Sequence, residues 1–431
     1  MKKVLIITYY WPPSGGSGVQ RWVKFAKYLP AEGWEPVIYT PSNPEMQSED
    51  RSLCGDIPAG TEVIRRPIAE IYGLYRTLTG RKASAAEVNV VNRQSGSWKR
   101  RAALWVRGNG FIPDPRVTWV RPSVRFLKKW LKTHPVDVIV STGPPHSMHL
   151  IARKVALAAG IPWIADFRDP WTRIFYFKHL RLTGPARRRH EKLERQVLDD
   201  ATAVVAVSPL VQEAFRTMTR TRVELITNGY DPDDYDRTVE PDGFFNLTHT
   251  GLFAADGNPR VLWKVLGEKV RADAEFARKL RLRLVGKTDA PVLESICDAG
   301  LSDQLVDLGY RDHRTAVREQ LGASVLLLPL REEPEYRATL PGKLFEYLGA
   351  RRPVLGIGQT DGAMAGILAE TRAGEVYDWP DEEGLRGAVD RLWDRFRRGE
   401  TAAATEGIDA YSRRNTARRM AALMEELTSR C

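Results

Sequence analysis

Residues 324–358 read SVLLLPLREEPEYRATLPGKLFEYLGARRPVLGIG. The run SVLLLPL (324–330) is apolar at consecutive positions, as expected of a strand buried on both faces of a parallel sheet. It ends near Pro329 and passes into a charged loop. Pro341-Gly342 then opens a short helix over 341–350, and a second buried run, RPVLGIG (352–358), follows at once. In that helix Leu344, Phe345 and Leu348 face the core, which leaves Lys343 and Glu346 for the open side. Lys343 in the first turn can reach a phosphate, and Glu346 one turn on can accept two sugar hydroxyl hydrogen bonds.

The same alternation runs outward in both directions, the signature of parallel α/β architecture. Strands are predicted at 4–10, 36–40, 136–142, 163–167 and 203–208, with helices at 18–31, 122–133, 145–159, 185–199 and 209–217. The stretch LITNGYDPDDYD (225–236) reads as a turn-rich acidic linker. A second series follows, with strands at 245–251, 280–286, 305–310, 324–330, 352–358 and 374–379. Its helices fall at 259–279, 289–299, 314–321, 341–350 and 362–371. Two successive doubly wound α/β domains account for the pattern, and ligands in such folds sit at the carboxyl ends of the strands.

The chain has 431 residues, 43% hydrophobic and 28% charged, which excludes disordered, collagen-like and coiled-coil classes. Its net charge of +11 is unevenly spread. Residues 1–200 hold 33 Lys and Arg against 17 Asp and Glu, and the remainder holds 32 against 37. The basic half is expected to face an anionic partner: nucleic acid, a membrane surface or a phosphorylated substrate. Much of the excess lies in SWKRRAALWVRGNGFIPDPRVTWVRPSVRFLKKWLK (97–132), with ten Lys and Arg, one Asp and four of the twelve Trp. Cys54, Cys297 and Cys431 form no metal-ligand spacing and no disulfide framework, which fits a reducing compartment. The apolar run after Lys3 is too short for a signal sequence, and no 18-residue apolar stretch exists, so the expectation is a soluble or peripheral protein.

Four further stretches carry chemistry. The first strand runs into WPPSGGSG (11–18), a glycine loop with Gly15, Gly16 and Gly18 that feeds a helix N-terminus. Free backbone amides there can cradle an anion or merely turn the chain. The spacing is neither G-x-G-x-x-G nor a Walker loop. In STGPPHSMHLIARKV (141–155), His146 opens a helix, where protonated imidazole is disfavoured, so it serves as a hydrogen-bonding group or as a packing residue. His149 lies one turn later. ADFRDPW (165–171) places Asp166, Arg168 and Asp169 just past a strand, either to position substrate hydroxyls and phosphates or as an ion pair bracing the loop. No further carboxylates suggest a divalent metal site. The DPDDYD run is expected to be solvated linker.

TYYWPPSGGSGVQR, STGPPHS, WIADFRDPW, VAVSPLV, TNGYD, LTHTG and LPGKLFEYLGARRPVL together resemble a family-4 glycosyltransferase of the GT-B fold, in the branch that builds bacterial surface polysaccharides. The resemblance implies two Rossmann-like domains with a cleft between them. An acceptor-binding domain would span 1–222, joined by a C-terminal helix at about 409–431, and a nucleotide-sugar donor domain would span 223–408. It implies retention of anomeric configuration, no cofactor and no metal. Glu346 matches the second glutamate of the family's E-x7-E motif, which grips the donor ribose; the first would fall at Ala338, with Glu332, Glu333 and Glu335 out of register. Gly16 resembles the loop glycine near donor phosphate and acceptor, with Gly15, Gly18, Asp166 and Arg168 on the acceptor side. His146 resembles the histidine that contacts the donor sugar, and Gly251 the loop below the diphosphate. For the pair of cations on the diphosphate, Arg260 and Lys264 lie in the matching region and Lys343 competes.

The expected activity is transfer of a hexose from a nucleotide sugar, UDP-linked on base rate, to a glycan or polyprenyl-diphosphate-linked acceptor. No two carboxylates present themselves as nucleophile and acid. Front-face attack is therefore favoured, with charge on the leaving diphosphate stabilised by cations and helix N-termini, and His146, Asp169 and Glu346 as the catalytic set. The 97–132 belt then reads as a contact with an anionic membrane, at the inner face of the cell membrane in the cytoplasm. Its alternative is an ordinary core-facing helix at RFLKKWLK with a solvated basic face. Two rival classes are a nucleotide-sugar epimerase and a nucleic-acid-binding protein; the latter lacks a recognisable stacking platform, so no nucleic-acid partner is expected.

Overall fold

The consecutive apolar runs form two sheets, and every strand pair in both is parallel. The computed structural model describes residues 1–46, 49–69, 105–236 and 238–429. By internal contacts the chain divides into two units. One runs from Met1 to Thr227 and takes back the chain from Thr416, and the other is Asn228–Asn415.

In the first unit β1 (Lys2–Ile7), β2 (Trp34–Pro41), β3 (Glu62–Arg66), β4 (Val138–Gly143), β5 (Trp163–Phe167), β6 (Ala203–Ala206) and β7 (Val223–Leu225) take the order β3-β2-β1-β4-β5-β6-β7. Val4 of β1 lies opposite Pro36 on one side and Val138 on the other. The chain order reverses between β1 and β4, so the loops after these strands diverge and leave a crevice at their carboxyl ends. The helix Ser17–Tyr28 buries Val19, Trp22, Val23, Phe25 and Ala26 against this sheet. From Thr416 the helix Arg413–Ser429 adds Ala417, Met420, Met424 and Leu427 to the same core, which is why the chain's end belongs to its beginning.

The second unit repeats the plan with β8 (Phe245–Thr250), β9 (Leu280–Val285), β10 (Leu305–Gly309), β11 (Val325–Pro329), β12 (Val354–Ile357) and β13 (Gly374–Tyr377), in the order β10-β9-β8-β11-β12-β13. Its reversal lies between β8 and β11. The core gathers Phe245, Trp263, Phe276, Leu327 and Trp393 around the sheet.

Several expectations change. The edge strand β3, polar and half exposed, and the three-residue β7 carry too little apolar signal to be seen in the sequence. The helix expected over 259–279 breaks at Asp273, whose extended backbone ends one helix while its side chain accepts from the amides of Glu275 and Phe276 to cap the next. A helix at Glu382–Arg397 was not expected. The 225–236 stretch does carry the junction of the two units, but it is only partly solvated: Asp233 and Asp236 are exposed, whereas Asp231 is 4% exposed, Tyr230 is buried, and a Cβ at Gly229 would overlap the Tyr411 carbonyl. The unit boundaries fall at 227/228 and 415/416 rather than 222/223 and 408/409.

Residues 97–104 of the basic belt lie outside the described residues. In the remainder, the helix Val120–Trp130 buries Val120, Ser123 and Leu127 and stacks Phe126 on Tyr39, while Arg121, Arg125, Lys128 and Lys129 stay exposed. Trp119 is buried, its indole N–H bonded to the Pro67 carbonyl.

Candidate functional site

Asp166, at the end of β5, is fully buried and is the hub of the first unit. Its carboxylate accepts from Arg21 Nε (3.1 and 3.2 Å) and Nη2 (2.8 Å), from Trp22 Nε1 (2.8 Å) and from Thr142 Oγ1 (2.9 Å). Arg21 in turn donates to the carbonyls of Ile226 and Thr227. Burial by itself would raise the Asp166 carboxyl, but the Arg21 charge and these donors hold it below its ordinary value. Both oxygens are consumed by the fold. The acceptor role expected for Asp166 is therefore corrected: it is the ion pair that braces the loop.

Around this hub stand the ends of β1, β4 and β5. The Arg168 amide donates to the Gly143 carbonyl (2.9 Å), and the Arg168 guanidinium donates to the Pro144 carbonyl. Arg168 also lies 5.8 Å from the Tyr10 ring, and a Cβ on Gly18 would overlap its Nη1. Gly18 is thus glycine because an arginine passes over it. Gly16 has φ +100 and begins the helix Ser17–Tyr28, which has no side-chain cap. In the same loop Trp11 Nε1 and Ser14 Oγ are buried without hydrogen-bond partners among the described residues.

His146 precedes the helix Ser147–Ala159 and is buried. Neither of its ring nitrogens has a hydrogen-bond partner among the described residues. Burial, then the neighbouring His149 and Arg168, push it well below the usual histidine range, so it is neutral. His149 is pushed down to about 3, mainly by burial. The Ser141 hydroxyl accepts from Trp163 Nε1 (2.9 Å) and lies 2.8 Å from His149 Nδ1. With the hydroxyl donating to Nδ1, the His149 proton sits on Nε2, which has no hydrogen-bond partner among the described residues. Solvent reaches Asp169, while protein packed around it pushes its carboxyl up to about 6 against the pull of Arg168.

In the second unit the helix Gly342–Ala350 starts beside the end of β8. Lys343 Nζ donates to the Leu252 carbonyl (2.9 Å) and to His249 Nε2 (3.1 Å), and a Cβ on Gly251 (φ +86) would press on its Cε. His249 Nδ1 donates to the Leu327 carbonyl (3.0 Å), which leaves Nε2 as the acceptor. Burial lowers the Lys343 ammonium to about 8, with Glu346 pulling the other way. Glu346 Oε2 accepts from Gln320 Nε2 (2.9 Å), which also donates to Thr250 Oγ1 (3.1 Å). Gln320 is itself held by the Tyr235 hydroxyl at 2.8 Å. Lys343, Glu346 and Gly251 are therefore brought together.

Arg260 and Lys264 are not. They line a cavity of about 470 Å³ with Arg271, Glu294 and Asp298 on the outer side of the helices Arg260–Ala272 and Ala290–Asp298. Lys264 is paired with Glu382 at 2.6 Å. Lys343 is the cation held beside the end of β8. Sequence reasoning missed His249 and Gln320, although the polar run Thr248-His249-Thr250 inside an apolar strand was a signal. It also missed Trp171 and His190, described below.

The two parallel sheets, each with its reversal point, define the GT-B class of transferases. The chain belongs to glycosyltransferase family 4, whose model matches residues 16–234. It is a retaining hexosyltransferase that uses a nucleotide-sugar donor. No curated protein matches it in sequence. Among solved structures it is similar to sucrose-phosphate synthase from Thermosynechococcus elongatus (TM-score 0.61, 14% identity, 100% of both chains). It is also similar to WaaG, a glycosyltransferase involved in lipopolysaccharide biosynthesis (0.54, 18%, 99% of this chain and 98% of that one). Anabaena HepE, solved in complex with UDP-glucose, is a third (0.55, 13%, 100% and 98%). At these identities the likeness is one of fold.

Proposed function

We propose that the chain moves a hexose from a UDP-sugar to a glycan or a polyprenyl-diphosphate-linked acceptor in cell-surface polysaccharide synthesis, with the donor on the second unit and the acceptor on the first. The observation that carries the donor assignment is the pairing of Lys343 and Glu346 one turn apart at a helix N-terminus beside the end of β8. A nucleoside diphosphate needs a cation and amides for its phosphates and a carboxylate for its ribose hydroxyls, and this turn offers all three. UDP as the carrier is supported by the UDP-glucose bound in the similar fold of HepE.

In the reaction we infer, the acceptor oxygen bonds to sugar C1 on the face from which the C1–O bond to diphosphate breaks. The acceptor's proton passes to the leaving phosphate oxygen. Lys343 and the helix amides stabilise the departing charge. Neutral His146 hydrogen-bonds the sugar, and Arg168, Asp169, Gly15, Gly16 and Gly18 line the acceptor side. The exposed basic face of the helix Val120–Trp130 holds the enzyme against an anionic leaflet, where a lipid-linked acceptor resides. No helix among the described residues is long and apolar enough to cross a membrane.

A thermal-shift panel of UDP-, GDP-, dTDP- and ADP-sugars tests the donor, followed by transfer assays on Glu346→Ala. The variant should keep the wild-type melting temperature and lose donor stabilisation and turnover. Unchanged turnover would remove the assignment. Conversion of the nucleotide sugar alone into its epimer would point instead to an epimerase.

A further inference from the structure

His146 is a buried imidazole that makes no hydrogen bond with the described residues, so nothing polar in the fold fixes the direction of its nitrogens. What fixes it is a plane. The ring centre lies 4.7 Å from that of Trp171 with only 2° between the planes, a parallel offset stack. Such a stack fixes the imidazole's side-chain torsions only as firmly as the partner ring is itself held.

Trp171 is pinned at both ends. Its indole N–H donates to His190 Nδ1 at 3.1 Å, and the other nitrogen of His190 donates to the Gly108 carbonyl at 3.3 Å. An indole N–H is a donor only, so His190 Nδ1 must carry the lone pair and Nε2 the proton: one neutral tautomer satisfies both bonds. At its backbone, Trp171 and the following Thr172 give their amides to Glu194 Oε1 (3.2 and 3.3 Å), while the Thr172 hydroxyl reaches Oε2 at 2.5 Å. Phe177 packs perpendicular to His190 with 5.3 Å between ring centres.

We infer that Trp171 and His190 are positioning residues: the chain Gly108 carbonyl, His190, Trp171 sets the plane and offset of His146 and so leaves both its nitrogens aimed at a ligand. This rests on the reading above in which His146 hydrogen-bonds the sugar. Neither residue touches substrate in this scheme. Each acts through His146, and each would otherwise be an ordinary buried aromatic.

The chain holds only seven histidines, which makes the ring signals of His146 resolvable by ¹⁵N-histidine NMR, with His146→Ala to assign them. His190→Leu removes both hydrogen bonds, His190→Gln can restore both through its amide, and Trp171→Phe keeps an aromatic face without the N–H should His190→Leu fold poorly. Each variant is compared with wild type in the His146 ring-proton shifts. Each is also compared in kcat and KM for the UDP-sugar that the wild type turns over fastest.

In His190→Leu and Trp171→Phe the His146 resonances should leave their stacked positions, and kcat should fall roughly ten- to a hundredfold. His190→Gln should restore both to within about threefold. In a His146→Ala background, His190→Leu should cost nothing further. Unmoved His146 resonances, a Gln variant as poor as the Leu variant, or losses that simply add in the double variant would each overturn the inference. Full activity in His146→Ala would overturn the sugar-binding reading alone, and the NMR arm would still decide whether His190 positions the ring.

Discussion

Lys343 Nζ lies 3.1 Å from His249 Nε2, so this cation beside the end of β8 is held by an imidazole that must stay neutral to hold it. Burial lowers Lys343 to about 8, so it is cationic below that pH and neutral above. If the cation binds the donor diphosphate, kcat/KM for the donor should be level between pH 7 and 7.5 and fall through about pH 8. Lys343→Met should lose roughly a hundredfold in kcat/KM and show no basic limb, since a hydrogen bond to a charged partner contributes about 1.5–3 kcal/mol. Steady-state kinetics across pH 5–9.5 measure both.

Asp169 supplies the opposite limb. Its carboxyl is pushed up to about 6, so it is neutral below that pH and ionised above. A role for the carboxylate on the acceptor side therefore predicts activity that rises through about pH 6 in the wild type. Asp169→Asn should flatten that acidic limb and leave the limb near pH 8 in place. An acidic limb that persists in the variant would take Asp169 out of the reaction.

The Arg21–Asp166 pair makes a prediction about stability. Both side chains are fully buried, and removing one partner leaves an uncompensated charge, at a cost of about 3–5 kcal/mol. Asp166→Ala should lose about that much in urea or guanidinium unfolding of the first unit. Because the folded Asp166 carboxyl is held below its ordinary value, its contribution is present above about pH 4 and is lost as pH falls through the lower folded value. Acid unfolding should therefore come at higher pH in the weakened but still folded variant Thr142→Val, which removes one donor to Asp166.

These placements show what the sequence could and could not disclose. Runs such as Val325–Leu328 are apolar at every position, so the parallel sheets and their order of helices were legible from periodicity. Lys343 and Glu346 were legible because Leu344, Phe345 and Leu348 claim the opposite face of a short helix. The role of Asp166 was not: whether a carboxylate beyond a strand faces solvent or a buried arginine depends on Arg21, 145 residues away. The partners of His249 and Gln320 were illegible for the same reason, although the polar run around His249 marked the strand end as unusual. The two side chains act through contacts 94 and 26 residues distant, which no local spacing encodes.

Two glycines separate function from folding. At Gly18 an added Cβ would meet the guanidinium of Arg168, the far end of a flexible side chain that can move aside. Gly18→Ala should change melting temperature by less than about 2 °C but displace Arg168 and raise KM for the acceptor. At Gly229 the Cβ would meet the Tyr411 backbone carbonyl, which cannot move aside. Gly229→Ala should destabilise the second unit by about 1–3 kcal/mol, as overpacking does. Thermal unfolding of the two variants side by side checks the contrast, and equal destabilisation would refute it.

The helix Val120–Trp130 keeps its apolar residues for Tyr39 and the core, so any membrane contact here is electrostatic rather than inserted. Arg121, Arg125, Lys128 and Lys129 form its exposed face. Near an anionic leaflet each basic residue contributes about 1 kcal/mol. Replacing Arg125, Lys128 and Lys129 together by Gln should then lower partitioning onto phosphatidylglycerol vesicles by roughly a hundredfold. Binding of the wild type should weaken as salt rises and the charges are screened over about 8 Å at 0.15 M. Flotation with anionic and with purely zwitterionic vesicles separates the cases. Equal binding to both, or binding that the triple variant retains at low salt, would show that another surface meets the membrane. The variant should still turn over a soluble acceptor at the wild-type rate, because these residues lie on the outer face of a helix whose buried side alone supports the fold.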